Sequence, residues 1–90
     1  MKRWTQIFKA LANINRLKII DILASRMPMT VTEIADELGI SFRGTSRHLL
    51  LLHGLDILTS QGKEGHVYYG YNHSMPADVK KVIGDFLKLK

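Results

Sequence analysis

The chain contains no cysteine. That excludes a disulfide framework and any thiolate metal site, and it is compatible with a reducing compartment. No apolar run approaches the ~18 residues of a membrane span. The opening Met1-Lys2-Arg3-Trp4-Thr5-Gln6, with Lys9 behind it, has no continuous apolar core of the kind a targeting signal carries. A cytoplasmic protein with no membrane partner is the expectation. Also missing are a Gly-rich phosphate loop and a Ser/His/acid set on facing elements. Ser46 and His48 stand two apart on one helix and do not face each other. Neither an enzyme nor a cofactor is expected.

What is present is a small basic domain. The 90 residues make one domain able to bury about two-thirds of its unfolded surface. Hydrophobic residues make up 46%, as in a globular chain. Thirteen Lys and Arg against eight Asp and Glu leave a net charge of +5. A balance of that sign favours polyanionic partners, because cations near phosphates release condensed counterions. Alone it is a weak signal, since many small proteins are as basic.

Hydrophobic spacing divides the chain into helices and one hairpin. Trp4, Ile7, Phe8 and Leu11 recur at i, i+3, i+4, i+7, the stripe of an amphipathic helix. Asn13 is placed to cap a second helix, in which Leu17, Ile20 and Leu23 or Ala24 form a stripe widened by Ile19 and Ile22. Arg16 and Lys18 lie off that stripe as expected surface charges. Met27-Pro28-Met29 stops the helix. Thr30-Val31-Thr32-Glu33 fits a capping box opening a short third helix with Ile34, Ala35 and Leu38 inward. Gly39 closes it, Ile40 turns back toward the core, and Ser41 caps a fourth helix. Two helices joined by so short a turn make a helix-turn-helix, spanning about 31–54.

The fourth helix carries the candidate binding residues. Helical spacing turns Thr45, Leu49 and Leu52 inward, with His48 and Leu51 beside them, and leaves Phe42, Arg43, Ser46, Arg47 and Leu50 outside. Free amides and the positive dipole end at Ser41 suit a phosphate. Gly44 keeps the backbone free to approach a base edge. Arg43 and Arg47 have the two-pronged donors that match guanine O6 and N7, or they hold phosphates. The bland alternative is ordinary surface arginines on a helix whose partner is protein. After it, Asp56 tolerates the left-handed conformation at the helix end. Ile57 to Gln61 and His66 to Tyr71 are strand-like around a polar Gly62-Lys63-Glu64-Gly65 turn, a hairpin spanning about 57–71. Val67, Tyr69 and Tyr71 share one of its faces. Lys63 and His66 near the tip are positioned for flanking DNA, or are simply solvated turn residues.

The last segment has Ser74 as an expected N-cap, Pro76 in the first turn, and a helix over about 75–89. Val79, Val82, Ile83, Phe86 and Leu87 or Leu89 stripe it. So apolar a terminal helix folds back on its own domain or pairs with the first helix across a two-fold axis.

These elements resemble a known family. Phe8-Lys9-Ala10-Leu11-Ala12-Asn13-Ile14-Asn15-Arg16-Leu17-Lys18-Ile19-Ile20 is similar to the Leu-Ala-Asp-Pro-x-Arg-Leu-x-Ile-Leu opening of the ArsR repressors. Thr32 to Ser41 with Ser46-Arg47-His48-Leu49 resembles their helix-turn-helix, and Gly65-His66-Val67-Tyr68-Tyr69 their wing. The resemblance runs from roughly Phe8 to Tyr71 and implies a mostly α winged helix-turn-helix fold with five helices and a small β-hairpin. It further implies a homodimeric repressor on palindromic double-stranded DNA, released by a small inducer. Contacts with DNA would come from Ser41, Phe42, Arg43, Gly44, Ser46, Arg47, Lys63 and His66. The dimer would form through Trp4, Ile7, Phe8, Leu11, Val79, Val82, Ile83 and Phe86.

Three departures bear on ligands. Where metal sensors of the family have Cys-Val-Cys, this chain has Thr30-Val31-Thr32, and hydroxyls are poor ligands for soft metals. The expected C-terminal helix has Asp78 and Asp85 but no His, although His73 precedes it; His48 and His53 are five apart, off the spacing that converges two ligands. No metal is therefore expected, and any inducer is a different small molecule or a protein. Leu50 stands where the family often has Lys or Arg. The alternative is a winged helix used for protein interaction, which Phe42, Leu50 and the apolar terminal helices would suit.

Overall fold

A computed structural model describes Met1–Lys90. Five helices and three short strands follow in the order α1 (Lys2–Leu11), α2 (Ile14–Ser25), β1 (Met29–Thr30), α3 (Val31–Leu38), α4 (Phe42–Gly54), β2 (Leu58–Lys63), β3 (His66–Tyr71) and α5 (Ala77–Leu89). No helix is long and apolar enough to cross a membrane.

The helix starts follow the local signals. Asn13 Oδ1 accepts from the Arg16 amide at 3.1 Å, which satisfies one free donor of α2. At α3 both halves of the capping box form. The Glu33 amide donates to Thr30 Oγ1 at 3.2 Å, and the Thr30 amide donates to Glu33 Oε1 at 2.9 Å. That second bond, with one from the Thr30 hydroxyl, holds the Glu33 carboxyl below its usual range. Gly39 ends α3 in the left-handed conformation, and Ser41 Oγ accepts from the Gly44 amide at 3.0 Å to start α4.

A core of Ile7, Ile19, Ile20, Leu23, Ile34, Leu49, Leu52, Ile57, Leu58, Val79 and Ile83 joins all five helices to the sheet. Central α2 supplies Ile19, Ile20 and Leu23, whereas Leu17 is only half-buried. The broad apolar face of that helix is explained by neighbours on several sides.

The sheet differs from the expected hairpin in two ways. Its order is β1-β3-β2, all antiparallel, with Met29 opposite Tyr69 and Thr30 opposite Tyr68. The short segment after Pro28 is thus both a helix stop and a third strand. Gly62 and Lys63, expected in the turn, are paired strand residues opposite Val67 and His66. The turn is only Glu64-Gly65, both with positive φ (53° and 79°), the geometry that matches strand twist in a two-residue hairpin. The final helix also starts later than expected. Ser74 does not cap it; the Ser74 amide donates to Asn72 Oδ1 at 3.0 Å in the preceding turn, and Pro76 is the first flanking residue of α5, without a side-chain cap.

Candidate nucleic-acid interface

Helix α4 divides its residues between core and solvent by position. Thr45, Leu49 and Leu52 are completely buried. The Thr45 hydroxyl donates to the Ser41 carbonyl at 2.8 Å, so the one polar member of that face has a partner. Directly opposite, at helical spacing, run Arg43, Arg47 and Leu50. All three are exposed, as are Ser41 and Phe42 near the start; Ser46 is half-buried. Leu51, expected beside the packing face, is 43% exposed, because the domain covers a narrower strip of α4 than the apolar residues would allow. Gly44 has a local reason to lack a side chain: a Cβ there would lie 3.0 Å from the capping Ser41 Oγ.

Ion pairing ties up part of the surface charge but not that of this face, nor that of Lys2, Lys9, Lys18 and Lys88. The ion pairs are Arg3–Asp78, Arg26–Glu37, Lys81–Asp85 and Lys90–Asp21. Arg43, Arg47 and Lys63 belong to none of them. Their cationic groups are therefore open to an external anion. Lys63 and His66 flank the hairpin turn as register partners, and both are exposed. His66 also lines a cleft of about 220 Å³ between wing and helix-turn-helix, with Thr30, Thr32, Phe42 and Val67 among its walls. The Glu33 carboxyl lines the neighbouring surface, its pKa lowered chiefly by the Thr30 hydrogen bonds. The start of α4 and the hairpin tip thus stand on either side of one open groove.

Two histidines and an arginine brace α4 from behind. Arg16, expected as a surface charge, is half-buried. Its Nε donates to the Ala10 carbonyl at 2.6 Å and its Nη2 to the Lys9 carbonyl at 3.3 Å, both at the end of α1. Its Nη1 lies 3.2 Å from His48 Nδ1 on α4. Burial first, and the Arg16 charge second, push the His48 pKa below its usual value. His53 Nε2 lies 3.1 Å from Ser60 Oγ of β2, and its ring meets Tyr69 edge-on at 6.3 Å. Each histidine has its own structural partner. Arg16 was visible in the sequence only as part of the family-like opening run, because a bond across 32 positions leaves no periodic trace.

The transcriptional repressor SdpR of Bacillus subtilis is 32% identical over 72 residues, covering 80% of this chain and 79% of SdpR. Among solved structures, HlyU of Vibrio cholerae superposes with a TM-score of 0.81 at 25% identity, over 98% of this chain and 91% of HlyU. Mb0332 of Mycobacterium bovis, described as a homodimeric winged helix-turn-helix DNA-binding domain and possible ArsR-family regulator, gives 0.81 at 25% identity, over 98% of this chain and 78% of that one. The chain belongs to the ArsR family of winged helix-turn-helix transcriptional regulators. A family model described as the O-methyltransferase dimerisation domain matches residues 5–78, so the chain belongs to that domain family too.

In this ArsR-family chain the terminal helices split their apolar residues between two jobs. Ile7, Val79 and Ile83, expected at a dimer interface, are each only 1% exposed and lie in the protomer's own core. A helix laid on its domain must turn its most central stripe inward, which leaves the flanks outside. Those flanks are Phe8, 56% exposed, with half-buried Trp4, Leu11, Val82 and Phe86. Trp4 and Phe8 stack at 5.5 Å between ring centroids. Arg3 joins α1 to α5 through two hydrogen bonds to Asp78, at 3.1 and 3.0 Å. Those bonds hold the Asp78 carboxyl down to about 2.

Proposed function

We propose that this ArsR-family chain is a dimeric transcriptional repressor that reads the major groove of an operator with α4 and grips flanking DNA with its wing. The observation that carries the reading is the unpaired state of Arg43 and Arg47 on the solvent face of a helix whose other face is locked in the core. A guanidinium is always charged and needs acceptors; guanine edges and phosphates supply them in the geometry it prefers. Ser41, Phe42, Gly44 and Ser46 surround these arginines, and Lys63 and His66 face the adjoining backbone. The repressor activity of SdpR and the homodimeric DNA-binding description of Mb0332 support the same reading.

Pairing would use the outer flanks of α1 and α5, with Phe8, Trp4, Leu11, Val82 and Phe86 at its centre. Two copies related by a two-fold axis would place their α4 helices about one DNA turn (~34 Å) apart, as a palindromic site requires. An inducer, if one acts, is a small molecule or protein whose contacts differ between free and DNA-bound forms. The test is selection of genomic fragments by the 90-residue chain, followed by affinity measurements at rising salt. The expected outcome is a palindromic site whose affinity falls steeply with salt.

The match to a dimerisation domain favours a second reading, a winged helix used for protein association. Salt separates the two, because an apolar protein interface lacks the steep dependence. Absence of any selected fragment, together with salt-insensitive self-association, would favour this second reading.

A further inference from the structure

Leu50 is an exposed apolar residue on α4, as Phe42 and Leu51 are, and it is the one that shares a face with Arg43 and Arg47. It is 58% exposed, and what singles it out is its place in one line with two exposed arginines. It is absent from the apolar residues that pack against the core, whereas its neighbours Leu49 and Leu52 are fully buried. Its place is set by spacing. Arg43, Arg47 and Leu50 follow one another at four and three residues, so their side chains leave α4 in one line. From Arg43 to Leu50 the helix rises about 10 Å, the length of about three stacked base pairs.

The neighbours of Leu50 narrow what can cover it. A protein surface apolar enough to take the leucine would also have to supply acids to Arg43 and Arg47, which pair with none in this chain. The edge of a major groove satisfies both demands in one surface. It presents acceptors to guanidinium groups, and wherever a thymine occurs it presents a C5-methyl group to an apolar side chain. We infer that Leu50 is a specificity-determining residue that selects thymine, through its methyl group, at one position of each half-site. The inference rests on the DNA-reading assignment of α4 and adds a base identity to it. Leucine has no hydrogen-bonding group, so it contributes nothing to phosphate attachment and acts only on base choice.

The test replaces each thymine of the selected site in turn by deoxyuridine, which removes the methyl group and leaves every hydrogen-bonding group in place. Wild-type chain should lose about fourfold in affinity at one position per half-site, the worth of one buried methyl group. Leu50→Ala should bind the thymine and deoxyuridine forms of that position equally. Its thermal unfolding should be unchanged, because the side chain is exposed. A selected site with no methyl-sensitive position, or with the same sensitivity in Leu50→Ala, overturns the inference and leaves DNA reading intact. Loss of the dimer in Leu50→Ala, with methyl sensitivity retained, also overturns it by assigning the residue to protein contact. Failure to select any site overturns the DNA-reading assignment, and this inference with it.

Discussion

Arg16 and His48 meet across α2 and α4, with guanidinium Nη1 3.2 Å from imidazole Nδ1. Arginine only donates, so Nδ1 must be the accepting, unprotonated nitrogen of a neutral ring. A proton on Nδ1 would remove the acceptor and set two cations against each other. The site therefore favours neutral His48, and burial acts in the same direction. Because the folded pKa lies below the unfolded value near 6.5, the unfolded chain takes up protons first as pH falls. This contribution to stability is complete above that value and is lost as pH falls through the lower folded pKa. His48 should titrate below 6.5 in an NMR experiment, and Arg16→Gln should move it upward. A denaturant midpoint followed downward from about pH 8 should decline less in His48→Gln than in the parent chain.

Arg43 and Arg47 make a sharper pair of variants, because neither is tied into the fold. Arg47→Ala should weaken binding to the selected operator by ~1–3 kcal/mol and relax preference at one base position if it reads a base. A phosphate-holding arginine would instead lower affinity evenly across sequences and reduce the salt slope by about one. Operator titrations of both variants across a salt series distinguish these roles. Unchanged affinity in both would refute α4 as the reading helix.

Phe8 tests the terminal-helix interface without touching the core, since it is 56% exposed while Ile7 beside it is sealed. Phe8→Asp places a charge where apolar contact is proposed. The parent chain should sediment near twice 10.2 kDa, and the variant near 10.2 kDa with its helical circular dichroism retained. Operator affinity should fall with the dimer, because two half-sites are then held separately.

Glu64 occupies a left-handed position (φ 53°) that an ordinary side chain adopts at a cost. Asparagine tolerates it better, and Asn-Gly suits a two-residue hairpin turn. Glu64→Asn should raise unfolding stability by up to ~1 kcal/mol. It also removes a negative charge beside Lys63, so operator affinity should not fall. Chemical denaturation and operator titration on the same variant check both outcomes.

The local signals in the chain determined the helix-turn-helix. Asn13, Thr30 with Glu33, and Ser41 each cap a helix through bonds spanning three residues. Gly39 and Asp56 mark helix ends by the backbone conformation they permit. The inward triplet Thr45, Leu49, Leu52 follows from helical geometry alone, and so does the outward line through Arg43, Arg47 and Leu50. Tertiary structure decided what depends on residues far apart. Met29 and Thr30 become a strand only because Tyr68 and Tyr69 arrive beside them. Arg16 becomes a brace only because α1 and α4 bring carbonyls and an imidazole to it. Ile7, Val79 and Ile83 go to the core, and Phe8 to the outside, because each terminal helix lies on its domain at one particular rotation. A stripe of apolar residues specifies that a face will be covered; the angle at which neighbours pack specifies which of its residues they cover.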